Sequence, residues 1–213
     1  MNLAYGLAER VTGAKEIARE VNALAQYNSL TYNDADAEPG DVFFHVYSEA
    51  GATHGNMVSP DRTQKIDSVV GAGVRTIPMA ADRHARIGFR LMDSIYAQNA
   101  ALLLLSWVGQ VGYSSGLGGM GRQIHAGFGA SNFGKGAVGR LHKYADRGTD
   151  GNLKAPKNST CGELCILAYQ LCIPENDPMF PKLDAKHSSP NRIVRYMLAN
   201  PSVWDYLGYR GEM

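Results

Sequence analysis

The strongest constraint in the chain is the run Asn158-Ser159-Thr160-Cys161-Gly162-Glu163-Leu164-Cys165-Ile166-Leu167-Ala168-Tyr169-Gln170. Thr160 and Glu163 have the T-x-x-E spacing of a capping box, which predicts a helix that begins at Cys161 with Thr160 as its N-cap. A cysteine in that first turn sits among unpaired backbone N–H groups at the positive end of the helix dipole, and both favour its thiolate. The thiolate is the nucleophilic form, so the residues that fix a helix start also point to cysteine chemistry. A buried structural cysteine is the competing reading, because cysteine is among the most buried residue types.

Composition narrows the field. A chain of 213 residues, 45% of them hydrophobic, suits a single domain over residues 1–213. With 21 basic and 20 acidic residues the formal net charge is +1, which implies no general attraction to nucleic acid or to an acidic membrane. Cys161, Cys165 and Cys172 form an odd set without C-x-x-C spacing. They read as thiols of a reducing compartment, neither a disulfide framework nor a zinc site. Charges run through Met1 to Gln26 with no apolar core ahead of a cleavage site, so a cytoplasmic product without a signal peptide is expected. Action outside the cell would then need an export route that removes no leader.

Along the chain, Ala14, Ile17, Ala18, Val21, Leu24 and Ala25 recur at helical spacing and predict an amphipathic first helix over 14–27. Pro39-Gly40 is a turn signal that opens a strand over 41–47, and further strands are expected near 55–58, 65–70 and 74–79. From 81 to 110 the pattern reads as helix, with Ile87, Leu91, Ile95 and Tyr96 on one side. Residues 112–140 are rich in glycine, and helices return near 161–172 and 190–199. Strands in the first half with helices on either side indicate an α+β domain.

Three local patterns carry less weight than they first suggest. The apolar run of Ala100 to Val108 is far short of the roughly 20 residues that span a bilayer and reads as a core helix. Gly116-Leu117-Gly118-Gly119-Met120-Gly121 fits G-x-G-x-x-G, but no βαβ unit surrounds it and no acidic residue follows where a ribose would be held. Asn33 to Glu38 resembles half a calcium loop without its glycine and distal glutamate, and reads as a solvated acidic loop. No metal or organic cofactor is expected.

A thiolate needs a base, and the base an orienting partner. The candidates are His45, His54, His84, His125, His142 and His187. His54 lies where a turn gives way to a strand, and an adjacent antiparallel strand could bring Asp67 beside it. His45 shares a strand face with Phe43 and Tyr47 and reads as packed, His84 as part of an exposed helix start. His125 and His142 fall in or beside the glycine-rich stretch. Spacing alone leaves the choice open.

The ordered series Pro39-Gly40-Asp41-Val42-Phe43-Phe44, Thr53-His54-Gly55-Asn56-Met57-Val58, Ile66-Asp67-Ser68-Val69, Gly73-Val74-Arg75-Thr76-Ile77-Pro78-Met79, Cys161-Gly162-Glu163-Leu164 and Ser189-Pro190 resembles the circularly permuted NlpC-type papain-fold cysteine peptidases, the YaeF/YiiX-like group. In that group a P-G-D strand comes first, the next strand supplies the histidine, a following strand a polar third residue, and the cysteine helix comes last. The resemblance spans roughly 39–79 and 158–200. It departs from the family at Gly162, where a serine is usual, and at Gly55-Asn56 after the histidine. It implies a small antiparallel sheet packed on helices, with residues 81–157 as a helical and glycine-rich insert. It also implies Cys161 as nucleophile, His54 as base and Asp67 as orienting residue. By the same resemblance the expected activity is a peptidoglycan amidase or endopeptidase. It would act on stem peptides in the periplasm of a target cell, as an antibacterial toxin of the type VI secretion class. A secretion carrier and an immunity protein would be its partners. The alternatives are an acyltransferase, lipase or protein deamidase on the same fold, or a non-enzymatic membrane-active protein using the glycine-rich stretch.

Overall fold

The structure, a computed structural model, describes residues 32–47, 51–114, 133–146 and 153–210, together with the single positions Arg19 and Ala23. Most of the expected helix over 14–27 lies outside these residues, as do Gly116–Gly121 and His125. The described chain is α+β. Its main sheet has six antiparallel strands in the order β4-β3-β2-β1-β5-β8. These are β1 (Val42–Tyr47), β2 (Gly51–Val58), β3 (Gln64–Val69), β4 (Gly73–Pro78), β5 (Arg86–Leu91) and β8 (Trp204–Arg210). A short parallel pair, β6 (Gly112–Tyr113) and β7 (Asn158–Ser159), lies beside β3 and β4. The helices are α1 (Ser94–Ser106), α2 (Lys135–Ala145), α3 (Cys161–Cys172) and α4 (Pro190–Leu198).

Alternation along the strands sorts the two faces of the sheet. Val42, Phe44 and Val46 of β1, Met57 of β2, Ile66 of β3 and Ile87, Phe89 and Leu91 of β5 point to the helices and form the main core. The opposite face carries Phe43, Val58 and Met79 in a smaller cluster, with His45, His54, Lys65 and Asp67 in register around them. Helix α3 runs through the centre of the molecule, and every residue from Cys161 to Gln170 is buried. Burial all round fits a helix with so little polar surface. Helix α1 meets the core through Ala97, Ala100, Ala101 and Leu104, an i, i+3, i+4, i+7 stripe of mostly small side chains that allows close approach. Gly40 permits the same closeness below it. Its φ is +84°, and a Cβ there would stand 2.2 Å from the carbonyl oxygen of Ala97.

The helix expected from 81 to 110 is half wrong. Asp93 caps α1 by accepting from the amides of Ile95 and Tyr96, so the helix starts only at Ser94. Before it, Ile87, Phe89 and Leu91 alternate, and that period of two makes Arg86–Leu91 a strand inside the sheet. Gly88 lies under the ring of Phe43, where a Cβ would come within 2.6 Å. The stretch expected to be an insert therefore supplies an integral strand. His84 correspondingly precedes a strand and starts no helix. Strand β8 was not anticipated either. Nor is the acidic loop simply solvated, because Asp34 pairs with Arg86 at 2.6 Å and with Arg210. No helix among the described residues is long and apolar enough to cross a membrane.

Candidate active site

The site is assembled where β2 and β3 part. Their pairing ends at Asn56↔Asp67, so the part of β2 that carries His54 and Gly55 runs on without β3 beside it. The N-terminus of α3 packs against this free stretch. The Cys161 carbonyl oxygen lies 3.7 Å from where a Gly55 Cβ would stand, an ordinary contact distance that places the helix start against the strand, while the Phe44 ring, at 3.0 Å, is what keeps this position small. Thr160 caps α3 as expected: the Glu163 amide donates to Thr160 Oγ1, and the Thr160 amide donates to a Glu163 carboxylate oxygen, each at 3.3 Å. Gly162 has a packing reason as well. A Cβ there would stand 2.9 Å from Ile193 Cδ1 of α4, so a larger residue after the cysteine would require that side chain to shift.

Cys161, His54 and Asp67 are brought into one hydrogen-bonded chain. Asp67 Oδ2 lies 3.1 Å from His54 Nε2, and His54 also interacts with the sulfur of Cys161, which helps to raise its pKa. The other carboxylate oxygen of Asp67 accepts from Arg75 Nε at 3.0 Å. Asp67 is 2% exposed, and Cys161 is buried as well. His54 is one-fifth exposed at its side chain, so the imidazole forms the rim of the site.

The electrostatics follow from these contacts. Burial pushes the Cys161 thiol up, but the His54 hydrogen bond and charge together with the N–H groups of Gly55 and Gly162 outweigh it and leave the thiol acidified. Burial alone would lower His54, but Asp67 and the Cys161 sulfur on either side raise it to about 10. Burial raises Asp67 too, and the His54 and Arg75 contacts bring it below the ordinary carboxylate value. All three shifts favour a thiolate–imidazolium pair beside an ionised carboxylate. Cys165, one turn along the same helix, is fully buried and held protonated by desolvation, and Cys172 is pushed up to about 11 by burial. Of the three cysteines only Cys161 is prepared as a nucleophile.

Two contributors were not legible in the spacing. Gly55 offers its backbone N–H to the sulfur. Tyr113 of β6 lies within electrostatic range of Cys161; burial first, and the sulfur second, raise its phenol and keep it a hydrogen donor. The parallel pairing Tyr113↔Ser159 sets that position, and nothing near residue 113 in the sequence announces it.

The other described histidines have other partners. His45 faces His54 across β1 and β2, with ring centroids 5.0 Å apart, but its Nε2 engages Asp82 at 3.0 Å. His84 stacks on His45 at 4.4 Å and also engages Asp82. His142 pairs with Glu175 at 2.5 Å, and His187 with Asp184 at 2.8 Å. Among the described residues, His45, Asp82 and His84 offer ligand atoms within 4.8 Å of one another. The ammonium of Lys65 lies 2.7 Å from Asp82 Oδ2, with Arg86 at 3.8 Å, so this carboxylate already has its cations and poorly suits a divalent metal. Compared with family models, curated proteins and solved structures, the chain matches none, and the reading of its chemistry rests on the residues themselves.

Proposed function

We propose that this chain is a cysteine hydrolase of amide bonds, with Cys161 as nucleophile, His54 as general base and acid, and Asp67 as the residue that orients His54. The observation that carries the reading is the imidazole of His54 held between the Asp67 carboxylate and the Cys161 sulfur, with two backbone N–H groups also aimed at that sulfur. In the reaction, Cys161 Sγ forms a bond to the amide carbonyl carbon and the carbonyl oxygen takes the negative charge. The amide N–H of Cys161, at the first turn of α3, and the Tyr113 hydroxyl are the donors available to that oxyanion. His54 gives its proton to the departing amine as the C–N bond breaks. A water molecule, deprotonated by His54, then adds to the thioester carbon; the C–S bond breaks, the acid product leaves, and the thiolate–imidazolium pair is restored.

The order His54, Asp67, Cys161 along the chain, on two neighbouring strands and then a central helix, supports reading the α+β domain as the permuted NlpC-type papain-like arrangement. By that resemblance the substrate is a stem peptide of peptidoglycan, and the setting is an antibacterial toxin delivered by type VI secretion. Fold analogy sets that choice of substrate, and chemistry at the site sets the choice of reaction. The test is digestion of purified sacculi with mass analysis of the released muropeptides. Wild-type chain should produce new amine and carboxylate ends, and Cys161→Ala none, at an unchanged melting temperature. Activity retained in Cys161→Ala would sink the hydrolase reading; a wild-type chain that leaves sacculi intact but cleaves other amides would sink only the substrate.

A further inference from the structure

The face of the sheet away from the main core carries a cleft of about 530 Å³ that the hydrolase reading does not use. Four arginines, Arg62, Arg83, Arg86 and Arg210, line it with His84 and two aspartates, Asp34 and Asp82. Counting full charges, the walls carry two more positive than negative. The excess is unchanged when Lys65 and Glu38 are included, which pair with Asp82 and Arg62 from behind.

The ion pairs account for only part of this wall. One carboxylate, Asp34, is shared by Arg86 and Arg210. Asp82 already takes the ammonium of Lys65 at 2.7 Å and contacts His45 and His84 as well. Arg86 is 2% exposed and anchored by the Asp82 carbonyl at 2.7 Å, so it is a fixed guanidinium in the floor. Arg62 is nearly half exposed; it donates to the Ala35 carbonyl at 3.2 Å, and its one carboxylate among the described residues, that of Glu38, is 3.7 Å away. Arg83 is exposed and has no hydrogen-bond or ion-pair partner among the described residues. A purely structural network would balance its charges, whereas uncompensated guanidinia around a concavity repel one another and draw in anions. Guanidinium forks match carboxylate and phosphate oxygens, and the volume lies in the range of small-molecule sites.

We propose that this cleft is a binding site for a doubly charged oxyanion, a phosphate monoester or a dicarboxylate, held by Arg83 and Arg62 over the fixed guanidinium of Arg86. The ligand would also touch His84, which stacks on His45, whose ring in turn meets that of His54 at a tilt, with centroids 5.0 Å apart. The site thus lies two imidazoles from the candidate nucleophile's base, on its own set of residues. It stands or falls independently of the hydrolase reading.

The test is calorimetric titration of the full chain at low ionic strength with inorganic phosphate and, separately, with glutarate, using sodium chloride of equal ionic strength as the control. Saturable binding of phosphate alone assigns a phosphate-type ligand, of glutarate alone a dicarboxylate, and of both a site that reads charge; each supports the proposal. Arg83→Gln should weaken binding about tenfold, the scale of one charge-assisted hydrogen bond. Because Arg83 is exposed and partnerless, this variant should fold as the wild type does. Arg62→Gln should weaken binding as well. A ligand at ten times its Kd should raise the melting temperature by about 3 °C. Absence of saturation by either anion up to about 10 mM, where binding worth even ~3 kcal/mol would be evident, overturns the proposal. So does binding that Arg83→Gln and Arg62→Gln both leave unchanged.

Discussion

Replacing Asp67 with asparagine removes one negative charge and almost no volume, and it tests how His54 is held. Asp67 Oδ2 lies 3.1 Å from His54 Nε2. At roughly that distance two unit charges attract by about 1 kcal/mol in water and several times more at an interior effective dielectric. Arg75, 3.0 Å from the other oxygen, offsets part of that attraction. A charge-assisted hydrogen bond, net about 1.5–3 kcal/mol, is therefore the better measure of what the substitution removes. At 1.36 kcal/mol per unit, His54 should fall by about one to two pKa units. Coupling is reciprocal, so the weaker imidazolium should let the Cys161 thiol rise as well. The active window then narrows from both sides. Hydrolysis, which needs a protonated His54 for the leaving amine, loses its alkaline limb earlier than the wild type's limit near about 10. Alkylation of Cys161 by iodoacetamide, which reads the thiolate, has its acid limb move upward. Turnover near neutral pH should fall about 10- to 100-fold for the same interaction energy. Stability carries the same sign: the raised His54 contributes fully below its ordinary pKa and is lost as pH rises through about 10. Melts of the two proteins should thus differ fully from mildly acidic to neutral pH and converge as pH rises towards about 10. Alkylation and hydrolysis profiles that both keep their limbs in Asp67→Asn would refute this account of His54.

Tyr113→Phe should lower turnover about 10²-fold with little change in KM, the effect of removing one oxyanion donor; unchanged turnover removes Tyr113 from the site. His45→Ala should cost about 2–3 kcal/mol in urea unfolding, through lost packing and a lost hydrogen bond, while Cys161 alkylation stays within a few-fold of wild type. A collapse of alkylation in a folded protein would instead make His45 part of the site. Gly88→Ala places a methyl within 2.6 Å of the Phe43 ring and should destabilise by about 1–3 kcal/mol, read as a lower urea midpoint with an unchanged slope.

What was legible in the sequence was local. The Thr160-x-x-Glu163 box marked the start of α3, and Pro39-Gly40 and the alternating runs marked β1, β3, β4 and the second half of β2, whose strand already begins at Gly51, because caps and turns are set by neighbours a few residues apart. The strand at Arg86–Leu91 was misread because Ile87 and Leu91 are also four residues apart. Ile87, Phe89 and Leu91 form a period of two, and the antiparallel ladder from Val42↔Phe89 to His45↔Arg86, with Gly88 fitting under Phe43, ties that segment beside β1. Strand β8 carries Trp204, Tyr206 and Tyr209, a β-prone set, but a register shift after Gly88 breaks its alternation. At the site, the pairing of β2 with β3 could be expected from sequence, whereas the place where they part could not. That opening is tertiary: it depends on α3 arriving against Gly55, more than a hundred residues along the chain. Tyr113 comes within electrostatic range of Cys161 through the parallel pairing of β6 with β7, a placement that no local pattern encodes.

His45 and His54 show how partners rather than position decide a histidine's role. The two are directly opposed on one face, 5.0 Å apart, and each has a buried aspartate on its Nε2. Asp67 shares its charge only with the half-exposed Arg75, and the sulfur of Cys161 lies on the other side of the ring, so His54 is raised. Asp82 gives its charge first to the fully buried ammonium of Lys65, with Arg86 close by. Burial then dominates His45 and its pKa falls below the ordinary histidine value. This asymmetry is what makes the pair compatible, since two imidazolium rings at that separation would repel and the weaker of them would have to give up its proton. A neutral His45 can pack against a charged His54 without opposing it. Lys65, which touches neither Cys161 nor Asp67 in the hydrogen-bonded chain, thereby helps to decide which of the two rings can serve the cysteine.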